Sequence, residues 1–441
     1  MSLVPTLRHP HDRAIVRLAI PAFGALVAEP LFLLADSAIV GHLGTAQQAG
    51  LGIAGQALAT IAGSCVFLAY GTTSSVARQL GAGNRARALR QGIDGIGLAL
   101  AIGAALIVLG WPLAPWIVRA FGASATATPH AEIYLRISLL GLPGMLVVMA
   151  GTGVLRGLQD TRTPLYVSVA ASVVNLALNA LFVLVLGWGI AGSAWGTVLA
   201  QVGSAVAYLA VVVRGVRAHG VPLWPDLAGV RAAATAGFAL ILRTVSIQAV
   251  LVLATSVAAH TGNAEAAAYT VGSRIWMFLA LALDAIAIAA QSITGRYLGA
   301  SDVAGTRAAT RRMIEWGIAS GIVFGLVVFV TRSWIPDAFT HDPDVRGLLA
   351  ASLVVIACMQ PIAGAAFVLD GVLIGAGDQR YLALAQTVAL IVFLPAAWWL
   401  FARGGSLVQL WLAIALWLTV RLVAFALRAR GSSWLVTGAS R

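Results

Sequence analysis

The sequence contains few charged residues for its length. Asp, Glu, Lys and Arg make up 10% of its 441 residues, whereas about a quarter of the residues are charged in a typical soluble protein. Hydrophobic residues account for 60% of the chain, and the mean hydropathy is +0.92. This composition excludes an ordinary soluble domain and predicts a polytopic membrane protein.

Lysine is absent and cysteine is scarce. All 28 basic residues are arginine, so the Gly-Lys phosphate-binding loop of ATP-driven proteins is excluded. Cys65 and Cys358 lie in apolar runs and predict neither a disulfide framework nor a metal site. The His-Glu-x-x-His and Gly-x-Ser-x-Gly motifs of hydrolases are also missing. We therefore predict a protein that is not an enzyme and that uses no cofactor.

The apolar residues form twelve segments, each long enough for a membrane-spanning helix of about 20 residues. An all-α fold follows, because a helix satisfies its own backbone hydrogen bonds in lipid. Arginine is concentrated in the segments that face one side, which places both termini in the cytoplasm. The net charge of +12 then reflects membrane topology, and no nucleic-acid partner is predicted. Arginine as the sole basic residue, with abundant alanine and glycine, is typical of a GC-rich bacterial genome, so we expect the bacterial cytoplasmic membrane.

The sequence repeats itself at a fixed offset. Leu80-Gly81-Ala82 recurs 218 residues later as Leu298-Gly299-Ala300. The same offset relates Arg78 to Arg296, Pro143 to Pro361, Gly153-Val154-Leu155 to Gly371-Val372-Leu373, and Asp160 to Asp378. An offset of six spans preserves direction across the membrane and predicts parallel repeats. We therefore expect two six-helix lobes, a first half at 1–218 and a second half at 219–441, joined by a linker at about 214–231.

The first apolar segment carries two carboxylates and two prolines. Glu29 and Asp36 are seven residues apart, so they share one face of a helix. A carboxylate inside a span costs at least about 2.5 kcal/mol and usually faces a wet cavity or a partner helix. Pro21 and Pro30 predict a hinge in this helix. The pattern indicates transport of an ion or a cation, and the alternative is a buried pair bonded to neighbouring helices.

Four stretches carry a family resemblance. They are LADSAIVGHLG at 34–44, RQLGAGN at 78–84, GVLRGLQDT at 153–161 and LDGVLIGAGD at 369–378. They resemble the MATE family of multidrug and toxic compound extrusion transporters, and most closely its DinF branch. The resemblance implies a V-shaped, two-lobe protein that couples export to the inward flow of protons or sodium ions.

The resemblance also implies a coupling-ion site in the first half. The essential carboxylate of the family matches Asp36, the family's Asn-x3-Asp pattern matches Asn175 and Asn179, and a threonine of the site matches Thr197. Asn175 and Asn179 are one helical turn apart on one face. The amide at Asn179 removes one negative charge, which favours proton over sodium coupling because a single titrating carboxyl suffices for a proton. No metal is firmly predicted, and sodium at Asp36 is the alternative.

Four further charged residues are candidates for lining a cavity: Glu29, Arg274, Asp284 and Asp370. Arg274 lies about 13 Å into its helix at 1.5 Å per residue, so we expect it either to pair with a carboxylate such as Asp284 or Asp370 or to face water. Arg243 lies near the end of its span, and we expect it to snorkel to the interface. Structural roles remain the alternative for Asp284 and Asp370.

These features predict a secondary exporter that antiports protons against amphipathic, cationic organic compounds. The alternatives are a sodium-coupled exporter and a flippase of lipid-linked precursors, which would favour a strongly cationic cavity. The expected partners are small-molecule substrates, protons or sodium ions, and the lipid bilayer, and the expected state is a monomer.

Overall fold

The computed structural model describes residues 10–439, apart from the side chains at 29 and 32–35. This part of the chain is helical and contains no strand. The helices are α1 (Asp12–Gly41), α2 (Thr45–Cys65), α3 (Phe67–Gly81), α4 (Arg85–Ala120), α5 (Thr128–Leu139), α6 (Leu142–Gly157), α7 (Arg162–Asn179), α8 (Gly189–Ala218), α9 (Leu227–Thr261), α10 (Asn263–Gly299), α11 (Val303–Thr331), α12 (Ile335–Phe339), α13 (Pro343–Gly375), α14 (Gln379–Arg403) and α15 (Leu407–Arg430). A π-helix, Ala180–Val185, follows α7.

The all-helical membrane fold is confirmed. Among the described residues, ten helical segments are long and apolar enough to cross a membrane, and α2 with α3 counts as one of them. The pair α5 and α6, bent by 51°, makes an eleventh if it is one span. The first predicted span falls on α1, which contains the five side chains that are not described.

Helix boundaries recur at the 218-residue offset found in the sequence. The starts of α2 and α10, at Thr45 and Asn263, are related in this way. So are the other boundaries that delimit the repeat: the ends of α3 and α10 at Gly81 and Gly299, the ends of α6 and α13 at Gly157 and Gly375, and the starts of α8 and α15 at Gly189 and Leu407. The two halves of the sequence therefore fold into the same series of elements.

The first half has more helix breaks than the second. Helix α10 is continuous where α2 and α3 are separate, and α13 is continuous where α5 and α6 are bent. Helix α14 continues to Arg403, whereas its counterpart α7 ends at Asn179 in the π-helix. π-helical turns are rare and often occur at functional sites. The π-helix therefore suggests that the first half contains a functional site.

Glycine permits a close helix crossing at equivalent positions in both halves. A Cβ at Gly153 on α6 would lie 2.5 Å from the carbonyl oxygen of Ala69 on α3. At the repeat positions, a Cβ at Gly371 on α13 would overlap the carbonyl oxygen of Ala287 on α10. The helices approach this closely because small residues let their backbones touch, which explains the repeated Gly-Val-Leu motif.

The chain divides into two compact units. One is Gly24–Gly237, and the other contains the described residues up to Phe23 together with those from Phe238 onward. Helices α1 and α9 therefore each contribute to both units. The predicted division at 214–231 remains a prediction about the lobes.

The start of α1 is bound by α11. Asp12 is 1% exposed, and its carboxylate accepts hydrogen bonds from Arg312 at 2.7 and 2.9 Å and from Trp316 Nε1 at 2.8 Å. His11 adds an edge contact with the ring of Tyr297, with the centroids 5.7 Å apart. The start of α1 is thereby fixed to the same compact unit as the second half.

The start of α9 is bound at the equivalent position by different chemistry. Asp94 on α4 lies 218 residues before Arg312 and accepts a hydrogen bond of 2.8 Å from the backbone N–H of Asp226. Arg90 donates to the carbonyl oxygen of Trp224 at 2.7 Å. Asp94 and Arg312 thus occupy equivalent repeat positions. The carboxylate of Asp94 binds the start of α9, and the guanidinium of Arg312 binds the start of α1.

Replacing Asp12 by asparagine will lower the stability of the protein. Loss of one partner of a buried ion pair costs up to about 3 kcal/mol. Arg312 would lose its buried partner Asp12 and keep the more exposed Glu315, whose Oε2 lies 2.8 Å from Arg312 Nη1. The apparent Tm of Asp12→Asn in detergent should fall by several degrees. The control is Asp337→Asn, which removes an ion pair with Arg346 whose side chains are 55% and 40% exposed and which should cost at most about 1 kcal/mol. Equal Tm values for the two variants would contradict a stabilising role for the Asp12 contacts.

Candidate functional site

Asp36 lies on α1 and is almost completely buried. Its residue is 3% exposed, and its Oδ1 accepts hydrogen bonds from Asn179 Nδ2 at 2.6 Å and from Ser193 Oγ at 2.8 Å. No other described residue donates to Asp36, and no arginine in the described part of the chain forms an ion pair with it. The carboxyl group is therefore held by neutral donors.

The hydrogen bonds continue from Asp36 along α7 and α8. Asn179 Nδ2 also donates to Asn175 Oδ1 at 2.7 Å, and Asn175 Nδ2 donates to Thr197 Oγ1 at 3.2 Å. Thr197 donates in turn to the backbone carbonyl oxygen of Ser193 at 3.1 Å. The structure thus brings together all four residues that the sequence singled out, and their role in coupling remains a prediction.

The local backbone explains how these side chains meet. Asn179 is the last residue of α7, immediately before the π-helix Ala180–Val185. Gly196 on α8 lies against its carboxamide, and a Cβ there would overlap Asn179 Oδ1. This oxygen is buried and has no hydrogen-bond partner among the described residues. The site therefore depends on a glycine for space and contains one unused acceptor.

Sequence reasoning missed two residues of this site. Ser193 is 0% exposed and lies one helical turn before Thr197, so the spacing on α8 was the signal that could have found it. Tyr134 on α5 is 5% exposed and lies beside Asp36, Ser193 and Thr197. No sequence motif connects Tyr134 to the site, because the contact depends on how α5 packs.

Among the described side chains, Asp36 is the one carboxylate of this site. Within the described residues, no group of three or more His, Cys, Asp or Glu side chains is placed to hold a metal ion. The groups around Asp36 are two amides and the hydroxyls of serine, threonine and tyrosine. Such a site can bind and release one proton at Asp36, since every other group in it is neutral.

The second half has no equivalent of this site. The residues 218 positions beyond Asp36, Asn175, Asn179, Ser193 and Thr197 are Ala254, Phe393, Ala397, Trp411 and Ala415. The first four of these counterparts are buried in a hydrophobic core, and Ala415 packs against it. Because the repeat folds with apolar residues at these positions, the polar cluster of the first half is not required by the fold.

The predicted hinge residues lie within a continuous helix. Pro21 and Pro30 are both inside α1, which runs unbroken from Asp12 to Gly41. The helix passes from one compact unit to the other between Phe23 and Gly24, close to Pro21. The hinge remains a prediction, and the prediction for the side chain of Glu29 lies outside the described residues.

The candidates Arg274, Asp284 and Asp370 lie outside the Asp36 network. The structure also differs from what the sequence predicted for Arg243 and from the pairing predicted for Arg274. Asp370 pairs with Arg243, whose Nε lies 3.1 Å from Asp370 Oδ1. Arg243 is 8% exposed and does not snorkel, because it has this buried partner. Arg274 is exposed and has no ion-pair partner in the described part of the chain. The pairing with Asp284 or Asp370 is therefore not found, and the alternative that Arg274 faces water remains a prediction. Asp284 is half-buried. The position of Arg274 along its helix predicts how deep it lies but not the direction in which its side chain points.

The fold is a duplicated membrane fold, and its first half contains a buried carboxyl held by neutral donors. The MatE family model matches the chain twice, at residues 21–181 and 239–399, and the second match begins 218 residues after the first. The chain belongs to the MatE family, whose members are multidrug and toxic compound efflux transporters rather than enzymes. The resemblance found in the sequence is confirmed.

Relatives cover nearly the whole chain. It is 31% identical to Protein DETOXIFICATION 44, chloroplastic, of Arabidopsis thaliana, over 94% of this chain and 81% of that protein. It is 27% identical to DNA damage-inducible protein F of Escherichia coli, over 94% and 91%. Among solved structures, a MATE in the bent conformation matches with a TM-score of 0.88 at 23% identity, covering 98% of this chain and 97% of that chain. A MOP superfamily transporter from Pyrococcus furiosus matches with a TM-score of 0.87 at 22% identity, covering 96% of each chain. The structural matches support the fold.

Replacing Gly196 by alanine will disrupt the site. The added methyl group would overlap the Asn179 carboxamide, and overpacking of this kind costs about 1–3 kcal/mol. Gly203 on the same helix is the matched control, because nothing lies within 4 Å of a Cβ built there and alanine favours a helix by up to about 1 kcal/mol. The apparent Tm should fall for Gly196→Ala and stay level or rise for Gly203→Ala. A Gly196→Ala protein as stable as the control would show that the close contact with Asn179 is not needed.

Proposed function

We propose that this protein is a proton-coupled exporter of amphipathic organic compounds and that Asp36 is the residue that carries the proton. The observation that supports the proposal best is the environment of Asp36, a 3%-exposed carboxyl whose hydrogen-bond donors are neutral. A carboxylate without a cationic partner in a membrane interior is costly. Protonation removes that cost, so proton binding changes the energy of α1.

The composition of the site favours a proton over sodium. Hard cations take oxygen ligands and usually negative charge, and Asp36 is the single carboxylate among the described groups of this network. The amide nitrogen of Asn179 occupies the space beside Asp36 Oδ1. Sodium coupling remains the alternative, because carboxamide and hydroxyl oxygens of Asn175 and Thr197 lie within the same network.

The hydrogen bonds suggest how the site responds to a proton. Oδ1 of Asp36 already accepts two hydrogen bonds, and no described residue donates to Oδ2, so Oδ2 takes the proton. The protonated carboxyl becomes a donor and needs an acceptor. Asn179 Oδ1 is a buried acceptor without a partner, and rotation of this carboxamide would present it to the new O–H group. Asn179 would thus donate a hydrogen bond to ionised Asp36 and accept one from protonated Asp36.

Helix α1 connects the site to the rest of the protein. Asp36 lies in the part of α1 that belongs to one compact unit, and Asp12 lies in the part that belongs to the other. Loss of charge at Asp36, with flexibility at Pro21 and Pro30, would let the helix move between these fixed points. The family resemblance gives the order: proton binding from outside accompanies substrate release, and proton loss to the cytoplasm resets the site.

The remaining features of the proposal concern substrate and location. We propose a single chain in the bacterial cytoplasmic membrane with both termini in the cytoplasm, because of the distribution of arginine. The preference for cationic compounds remains a prediction, and Asp370, one of the candidate cavity carboxylates, is paired with Arg243. A lipid-linked precursor flippase is the less supported alternative, since the chain matches the MatE model in both halves.

Replacing Asp36 by asparagine will abolish export driven by a proton gradient. The exchange preserves size and hydrogen bonding but removes titration. Uptake of a fluorescent amphipathic cation should be measured in proteoliposomes with proton and sodium gradients imposed separately. The wild type should respond to the proton gradient, Asp36→Asn to neither, and the control Asp337→Asn like the wild type. Wild-type rates from Asp36→Asn under a proton gradient would rule out this mechanism, and a response to sodium alone would establish the alternative.

Replacing Ser193 by alanine will shift the pH dependence of export. Ionised Asp36 would lose one of its two donors, so protonation would become easier, and the external pH for half-maximal export should rise by about one unit. Ser193→Thr, which keeps the hydroxyl, should restore the wild-type profile. Ser204→Ala is the matched control on α8, because the Ser204 hydroxyl donates only to the carbonyl oxygen of Ala200 in the same helix. An unchanged profile for Ser193→Ala would mean that this hydrogen bond does not set the titration.

A further inference from the structure

A buried arginine without a hydrogen-bond partner lies in the second half. Arg421 on α15 is 3% exposed, and no described residue forms a hydrogen bond or an ion pair with it. Its Nε is fully buried without an acceptor. The guanidinium carbon lies 4.6 Å from the ring centroid of Trp417 and 5.9 Å from those of Phe367 and Phe425. Five N–H donors are thus held in place and unused.

Arg421 is too deep in its helix to reach the membrane surface. It lies fourteen residues after Leu407 and nine before Arg430, the ends of α15, which corresponds to roughly 20 and 13 Å at 1.5 Å per residue. Helix α15 is one of the segments long and apolar enough to span the membrane. An ionisable residue at such a depth is rare in membrane proteins and typically marks a functional site.

The nearest carboxylate does not compensate Arg421. Asp370 interacts electrostatically with Arg421, but both of its oxygens accept hydrogen bonds from Arg243. Two guanidinium groups therefore lie near one carboxylate, and Asp370 forms its hydrogen bonds with Arg243 rather than with Arg421. The residues 218 positions before Arg243, Asp370 and Arg421 are Ala25, Thr152 and Gly203, so the repeated fold does not require the cluster.

The aromatic rings do not account for the burial of this charge. Cation–π contacts contribute about 0.5–2 kcal/mol, whereas an uncompensated buried charge costs several kcal/mol. A purely structural role would leave Arg421 at a net cost. A ligand of opposite charge removes that cost, and a planar guanidinium with free N–H groups matches a carboxylate through two parallel hydrogen bonds.

We propose that the second half contains a binding site for an organic carboxylate, which is held by the guanidinium of Arg421. The Arg243–Asp370 ion pair lies beside this site. The rings of Trp417, Phe367 and Phe425 hold the guanidinium group of Arg421 in its orientation. Binding at Arg421 does not depend on proton coupling at Asp36, which belongs to the other half.

The test measures carboxylate binding to the purified full-length protein. Benzoate and succinate should be titrated by calorimetry against the wild type, Arg421→Gln, Arg421→Lys and Arg428→Gln. We expect at least one of the two acids to bind the wild type. Its affinity should be about tenfold or more lower for Arg421→Gln and intermediate for Arg421→Lys. Arg428 is the matched control on α15, because it lies over the ring of Tyr381 at 4.7 Å but is paired with Asp378 at 2.7 Å. Its replacement should leave carboxylate affinity unchanged.

Thermal stability without ligand separates a binding role from a structural one. Arg421→Gln removes an uncompensated charge, so its apparent Tm should equal or exceed that of the wild type. Arg428→Gln removes the ion pair with the buried carboxylate of Asp378 and should melt at a lower temperature. Failure of both acids to bind the wild type, equal binding by Arg421→Gln, or a lowered Tm for Arg421→Gln would each overturn the proposal. Binding that persists in Asp36→Asn would separate this site from the coupling mechanism.

Discussion

The cost of a charge in the membrane interior governs the polar chemistry of this protein. A buried charge is costly unless it is compensated, and the carboxylates of this chain are held in different ways. Asp12 is paired with Arg312 and Asp370 with Arg243, so these charges are fixed. Asp36 is held by neutral donors, so a change of its protonation state changes the energy of the site. The absence of a cationic partner is therefore what makes Asp36 suitable for coupling.

The two halves share a backbone fold but carry different polar residues at equivalent positions. Both halves share the glycine crossing at Gly153 and Gly371 and four helix boundaries at the 218-residue offset. The first half places a single carboxyl where the second has apolar core around Phe393 and Trp411. The second half places Arg421 where the first has Gly203. Each half thus serves as a control for the other, because the shared fold shows which polar residues the architecture does not need.

The sequence predicted much of the fold and of the site, for identifiable reasons. Apolar length and the 218-residue repeat predicted the membrane helices. The family resemblance led to Asp36, Asn175, Asn179 and Thr197. Tyr134 could not be found, because its contact with the site depends on packing between distant segments. Arg421 carries no motif, and its lack of partners is a property of three-dimensional structure alone. The pairing expected for Arg274 is not found for the same reason, since position along a helix does not give the direction of the side chain.

The central claim is that a single carboxyl in the first half binds the coupled proton. Infrared difference spectroscopy of the purified protein tests it most directly, by comparing the carbonyl band of protonated carboxylic acids at acidic and neutral pH. The account predicts one band from a buried carboxylic acid that appears on acidification in the wild type and is missing in Asp36→Asn, while Asp337→Asn retains it. A band that persists unchanged in Asp36→Asn would contradict the account, because the proton would then be carried elsewhere.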